Sequence, residues 1–585
     1  MKVVAFFKQH FLSIFFVIFS FIYGLQVYEV GNNYKRFDKV INEDAFGYYI
    51  ILPAFFQYHD PNFEFLDTVL RKTEVYKNYI PPVINTTENG EKVCKYYSGV
   101  AVLQSPFYLI NSILFEDKKS ETGFQKSNHF TILISAAFYL LLGIWGMIDL
   151  LKRLKIHPLL TAAAVSLTLF GSNLLAYASY DIAYSHVYSF FALIFFIRAA
   201  YIFKNKLNLP SAIMCGLFFG LIVIIRPLNG ISVLFIPIIF GLKPFIQLFQ
   251  KSYLRLTALA IFSALTILSL QSLIWHWQTG LWYVYPYGNE SLNLAQPQLF
   301  ELVFGYNCGW ALYTPVPFLA LVLSLLFLFI KKQFRQGLWM FVFSFGLLYL
   351  LSSWYYLHYG CTVGCRPITE FYGPLFIAFA YSLNSFIKTN GAKIILVVFT
   401  IIGIKYNLIV QHQFFENIIN WCEMDKERFQ MVFLKTHEAY KYATSPFWDF
   451  SSFDKVAPMK TVPIQKKLSI DIEKSEDKFQ IQLPELEAND STILFNLKLK
   501  GTMFDEINDS YLRILINDNG EYIELLNLLL RRKMVLANKE QTFIYQFHVS
   551  KSINKPLLNI SLESVNNKAQ TDLNLEEIEI KRVKL

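Results

Sequence analysis

The chain has 585 residues, of which 54% are hydrophobic and only 17% charged, with 57 Phe and 35 Tyr. A soluble domain carries about 25% charged residues, so this composition excludes an ordinary soluble core and points to many membrane crossings. The formal net charge of +9 does not call for a nucleic-acid partner, because polytopic proteins gather Lys and Arg in their cytoplasmic loops.

Crossing the hydrocarbon takes about 20 apolar residues. Runs that meet or approach this length lie at 11–30, 129–150, 157–179, 184–203, 210–226, 229–242, 256–274, 312–330, 337–353, 372–387 and 393–410. The first run is too long for the apolar part of a cleaved signal, and no small-residue cleavage site follows it. The pair 210–226 and 229–242 flanks "RPLNG" and reads as a hairpin of two half-length helices or as one kinked span. Basic residues discriminate. Lys2 and Lys8, Lys152, Arg153 and Lys155, Lys204 and Lys206, Lys243, Lys251 and Arg255, Lys331, Lys332 and Arg335, and Lys388 and Lys393 flank successive spans. With about eleven spans all of these clusters fall on the cytoplasmic side, whereas with ten the later ones switch sides. The pattern favours the hairpin and a cytoplasmic N-terminus.

The first outer loop, 31–128, is long and holds an amphipathic stretch, "KYYSGVAVLQSPFYLINSILF". Two further outer loops, 275–310 and 352–371, are rich in aromatics. Beyond a helical connector at 411–459, the region 460–585 turns polar and shows short alternating runs such as "KFQIQLPE", "STILFNLKLKG" and "TFIYQFHVS". Period-two alternation predicts strands, and "NDNG" at 517–520 predicts a hairpin turn. About seven strands in this length suit an all-β sandwich of jelly-roll type. The reading is an α-helical polytopic membrane protein over 1–410, followed by a periplasmic β-sandwich domain. In a bacterium the membrane would be the inner one.

Polar and ionisable groups collect at the outward ends of the spans: Glu43 and Asp44, Asp60, Asp181 and His186, Arg226, Glu290, His358 and Arg366. Interface solvation accounts for any one of them. Together they can line one outer cavity. Asp44 precedes "FGYYIILPAFF", so its carboxylate is expected to be partly desolvated, with a raised pKa that suits a proton acceptor. Glu43 beside it is expected to push in the same direction. Arg226 and Arg366 each precede a proline, and a guanidinium there can hold a phosphate through two hydrogen bonds. Asp44 with Asp181 or His186 offers a divalent cation a site, though without tight ligand spacing. Among six cysteines, Cys361 and Cys365 in "CTVGC" are near enough to pair, or stand as two thiols; no zinc pattern is visible.

"EDAFGYYIILPAFFQYHDPNF" resembles the first outer loop of GT-C superfamily glycosyltransferases, nearest to the bacterial branch related to protein O-mannosyltransferases and lipid A aminoarabinose transferases. "KYYSGVAVLQSPFYL", "RPLNG", "YNCGWALYTPVPFL" and "HYGCTVGCRPITEF" resemble later landmarks in the same order, over roughly 1–410. The family's acidic motif often reads Asp-Glu or Asp-Gly, and this chain reads Glu-Asp; Asp44 is preferred because "DAFGYY" continues in register. The resemblance implies a GT-C fold and a polyprenyl-phosphate-linked sugar donor. The sugar would pass with inversion to a glycan, lipid or protein hydroxyl on the outer face. It implies Asp44 as general base, with Asp60 at a second acidic position. By the same reading Arg226 and Arg366 would hold the donor phosphate, while His186 or His358 would assist the leaving group or bind acceptor. A lipid or glycan transporter or flippase is the alternative; such proteins usually pair two broken helices in repeated halves, and here one interrupted helix has no twin.

Overall fold

The computed structural model describes residues 2–68, 70, 81–87, 89–114, 122–241, 246, 250, 253–288, 290–357, 359–360, 362–420, 424, 426–437 and 444. It also describes the strands 456–470, 478–482, 492–503, 510–518, 521–529, 540–549, 556–564 and 571–583. They divide into two compact units, Met1–Gln411 and His412–Leu585.

Unit one is almost wholly helical. Among the described residues six helices are long and apolar enough to cross a membrane: Gln9–Asn33, Lys126–Arg153, Ser185–Lys206, Leu254–Thr279, Phe334–Ser352 and Asn390–Phe415. The chain is therefore a multi-pass membrane protein. The other expected spans are shorter or broken helices. In the expected span 157–179 the helix Pro158–Leu169 stops, and a second helix, Leu174–Ser179, follows. A break at membrane depth must have its freed carbonyls satisfied by protein. Asn407 does this, its amide donating to the carbonyls of Phe170 at 2.9 Å and Ser172 at 2.8 Å.

Local sequence sets where the helices begin and end. Asn208 accepts a hydrogen bond from the Ser211 amide at the start of Leu209–Ile225, with Pro210 in the first turn. The same helix ends because Pro227 forces Arg226 into an extended conformation, φ −151° and ψ 121°. A 3-10 segment, Pro227–Phe235, and a short helix, Ile236–Phe240, then run back along it. Val233, Ile236 and Phe240 share one cavity with Cys215, Gly216 and Phe219, so the chain reverses at "RPLNG".

The two ends of the bundle differ. At one end Asp149 accepts from Arg153 and Arg198, both at 2.7 Å, and Lys331 donates to the Tyr381 carbonyl. At the other end stand Asp44, His186, Arg226 and Arg366. The segment between the first two long spans is itself built of short elements. These are the helix Asp44–Tyr49, the ribbon of β1 (Ile84–Thr86) and β2 (Lys92–Cys94), and the helix Gly99–Leu114 that the amphipathic stretch predicted.

In unit two the described strands are β3 (Val456–Ile470), β4 (Lys478–Gln482), β5 (Thr492–Met503), β6 (Ser510–Asp518), β7 (Glu521–Leu529), β8 (Glu540–Val549), β9 (Pro556–Ser564) and β10 (Thr571–Val583). They form two antiparallel four-stranded sheets, ordered β3-β10-β5-β8 and β4-β9-β6-β7. Asp518 at the end of β6 pairs with Glu521 at the start of β7, while Asn519 and Gly520 of the expected "NDNG" turn lie outside the described residues. Alternate residues are buried, Phe495, Leu497 and Leu499 on β5 and Leu512, Ile514 and Ile516 on β6, so each sheet hides one face.

Candidate active site at the end of the helical bundle

The site begins with a strained turn. The Ala45 amide donates to the Asn42 carbonyl across Glu43, whose φ of 48° and ψ of −125° belong to the first central position of a type II′ turn, where glycine is the unstrained choice. His129, 2% exposed on the helix Lys126–Arg153, accepts from the Ile41 amide at 3.0 Å and steadies the approach to this turn. Asp44 is thereby delivered as the first residue of its helix.

The Asp44 carboxylate is held from two sides. Arg366 Nη2 lies 2.8 Å from Oδ2, and the Tyr96 hydroxyl donates to Oδ1 at 2.7 Å. Tyr96 reaches it because residue 47 is glycine; a Cβ there would overlap the Tyr96 ring. Tyr48 packs on Tyr96 with ring centroids 4.5 Å apart and donates to Ser185 at 3.1 Å.

Behind this pair is a buried cluster. Arg226 Nη1 lies 2.7 Å from Glu370 Oε1, and His186 Nδ1 lies 3.2 Å from the same oxygen. Gly99 allows the arrangement, because a Cβ there would sit 2.5 Å from the Ile225 amide nitrogen, one residue before Arg226. Glu370 and Arg366 share the 3-10 helix Arg366–Phe371. Asn173 ties that helix to the broken span, accepting from the Thr369 hydroxyl and donating to the Val363 carbonyl at 2.9 Å. Glu370 and His186 show 0% and 2% side-chain exposure, while Asp44 and Arg226 keep 22% and Arg366 13%. A ligand can therefore meet the last three and not the first two.

Charge sets the protonation states. Burial pushes the Asp44 carboxyl up, but Arg366, the Tyr96 hydrogen bond, Arg226 and His186 outweigh it and hold the pKa below its ordinary 3.8. The expected rise is thus reversed by an ion pair that the sequence did not reveal. Glu370 follows the same logic: burial raises it, and Arg226 and His186 bring it down to about 2. Asp181 goes the other way, with burial winning over Arg36 and Arg366 to raise it.

The remaining expected residues are placed as follows. Asp181 pairs with Arg36 at 2.6 Å. Asp60 closes a turn, accepting from the amides of Asn62 at 3.0 Å and Phe65 at 2.9 Å. Glu290 pairs with Lys95. His358 and Cys361 lie outside the described residues. Among the described residues no three His, Cys, Asp or Glu side chains gather as a metal site. The donors suggested for a cation do not fit one, since Asp44 faces Arg366, Asp181 faces Arg36 and His186 faces Glu370. Sequence reading missed Tyr96, Arg36 and Glu370. Glu370 stood in "CRPITEF" as an acid opening an apolar run, which was a usable signal.

No family model matches this sequence, nor does any curated protein. Among solved structures the chain is similar to the cryo-EM structure of the arabinosyltransferase EmbB from Mycobacterium smegmatis, at 10% identity and a TM-score of 0.35. The match covers 96% of this chain and 64% of that one, so the chain spans less than two thirds of that enzyme's length. A likeness this remote carries no argument about fold or activity.

Proposed function

We propose that the chain is a GT-C-type membrane glycosyltransferase. It moves a sugar from a polyprenyl-phosphate-linked donor to a hydroxyl of a cell-envelope glycan, lipid or protein. The observation that carries the reading is the Asp44 carboxylate, partly exposed and bridged by Arg366 and Tyr96, with Arg226 near enough to lower its pKa. The resemblance of the loop around Asp44 to that superfamily adds to it.

In the proposed reaction the acceptor oxygen attacks the anomeric carbon as the bond from that carbon to the phosphate oxygen breaks. Configuration inverts, Asp44 takes the hydroxyl proton, and the lipid phosphate leaves. Arg366 couples the two events. While it pairs with Asp44 the carboxylate is a weak base. A donor phosphate competing for the guanidinium neutralises it, frees the carboxylate and lets burial raise its pKa. Arg226 adds a second cation for the phosphate, held in position by Glu370. Glu43 keeps its neighbour at the strained turn.

The same reading sets the site on the outer face of the inner membrane and the opposite, Lys- and Arg-rich end in the cytoplasm. About eleven crossings with a cytoplasmic N-terminus then bring the C-terminal unit outside. Its two half-buried sheets suit a jelly-roll sandwich, 460–585, joined through the connector 411–459 to the enzyme domain 1–410. Mass spectrometry of envelope glycans and glycolipids from wild-type and deletion strains tests the proposal. One sugar should be missing from one acceptor class in the deletion strain, and an unchanged profile speaks against it.

A further inference from the structure

The helices Ser185–Lys206, Leu209–Ile225 and Leu254–Thr279 enclose, with the returning segment Pro227–Phe240, a cavity of about 400 Å³. It is separate from the Asp44 site. His186 stands at the first turn of Ser185–Lys206 and Lys204 in its last, 18 residues or roughly 27 Å apart along the axis.

The packing explains why the space exists. Gly216 and Gly220 let Leu209–Ile225 touch Leu254–Thr279 backbone to backbone; a Cβ at Gly220 would lie 2.6 Å from the Ala264 carbonyl oxygen. The returning segment is a 3-10 turn and a helix of only 5 residues that ends at Gly241, φ 77°.

The cavity is an elongated slot. Its lining on one helix runs from Tyr253 to Leu268, roughly 20 Å along the axis, which takes it from the interface into the depth of one leaflet of a hydrocarbon core about 30 Å thick. The walls are apolar, with Phe196, Phe219, Ile236 and Leu265 among them. Lys204 is the one charged side chain among the described lining residues, and its ammonium lies 5.4 Å from the Phe240 ring centroid. Among the described residues no carboxylate pairs with it.

We propose that this slot holds one acyl chain of an anionic phospholipid, whose phosphate meets Lys204. The slot is long enough to run from the interface through one leaflet, its lining matches a hydrocarbon chain, and its mouth carries a positive charge without a counter-ion among the described residues. A zwitterionic headgroup would bring its own cation to that charge and bind less well.

The test uses the full chain, purified in detergent and stripped of lipid. It is titrated with phosphatidylglycerol or phosphatidylcholine of identical chains and followed by native mass spectrometry. One phosphatidylglycerol should bind about five-fold more tightly than phosphatidylcholine. Lys204→Ala, at an exposed position in the last helical turn, should bring the two affinities together. Thr257→Phe, which fills the slot, should weaken both lipids. The inference is overturned if wild-type protein binds both lipids equally, if Lys204→Ala keeps the preference, or if an isoprenyl phosphate displaces phosphatidylglycerol from the slot.

Discussion

Arg366 and Asp44 form an ion pair at 2.8 Å at the end of the helical bundle, and Asp44 keeps enough exposure for a ligand to interrupt it. The two residues are 322 positions apart, and the pair joins the segment after the first long helix to the segment before Tyr372–Leu383. Because burial alone would raise the Asp44 pKa and Arg366 leads the groups that lower it, the arginine controls the carboxylate's basicity.

Arg366→Gln removes that control. A carboxyl whose folded pKa is depressed contributes stability above its unfolded pKa and loses it as pH falls through the folded value. In wild-type protein the contribution of Asp44 is therefore present above about pH 4 and fades only in stronger acid. With Gln at 366 the largest of the lowering influences is gone and the Asp44 pKa rises. The acid limb of a pH–rate profile should shift to higher pH; an unmoved limb would show that Arg366 does not set the charge on the base.

Glu370→Gln leaves Arg226 without its buried counter-charge. Removing one partner of a buried pair costs about 3 kcal/mol. Thermal unfolding in detergent should show a clear loss of stability, and Arg226→Gln combined with Glu370→Gln should recover part of it. A single variant as stable as wild type would mean that Glu370 is not the anchor of the cluster.

Gly47→Ala places a methyl in the Tyr96 ring. The ring must move, and the hydroxyl leaves Asp44. Transfer should slow through kcat more than KM, while Tyr96→Phe, which loses the hydroxyl and keeps the ring, should reproduce most of the loss. Normal kcat in both variants would remove Tyr96 from the site.

Much of the helical unit was legible because membrane spans announce themselves by length and apolarity. Asn390–Phe415 and Lys126–Arg153 were read within a few residues. What escaped was the break at 170–173, where Asn407 supplies the hydrogen bonds that let a span stop inside the bundle. The candidate residues were found because charge at a span end is costly. Their partners were not, because Arg366 with Asp44 and Arg226 with Glu370 are contacts across 322 and 144 positions, and no local pattern encodes them. Asp60, expected at a second acidic position, has local partners instead: it bonds the backbone amides of Asn62 and Phe65, as turn carboxylates do.

The most direct test of the account is rescue of a deletion strain with Asp44→Asn. Asparagine keeps the size of the side chain and removes the proton acceptor. Membrane abundance should match wild type, while mass spectrometry of the envelope should show the same missing sugar as the deletion. Full restoration of that sugar by the Asp44→Asn protein would contradict the assignment of Asp44 as the base.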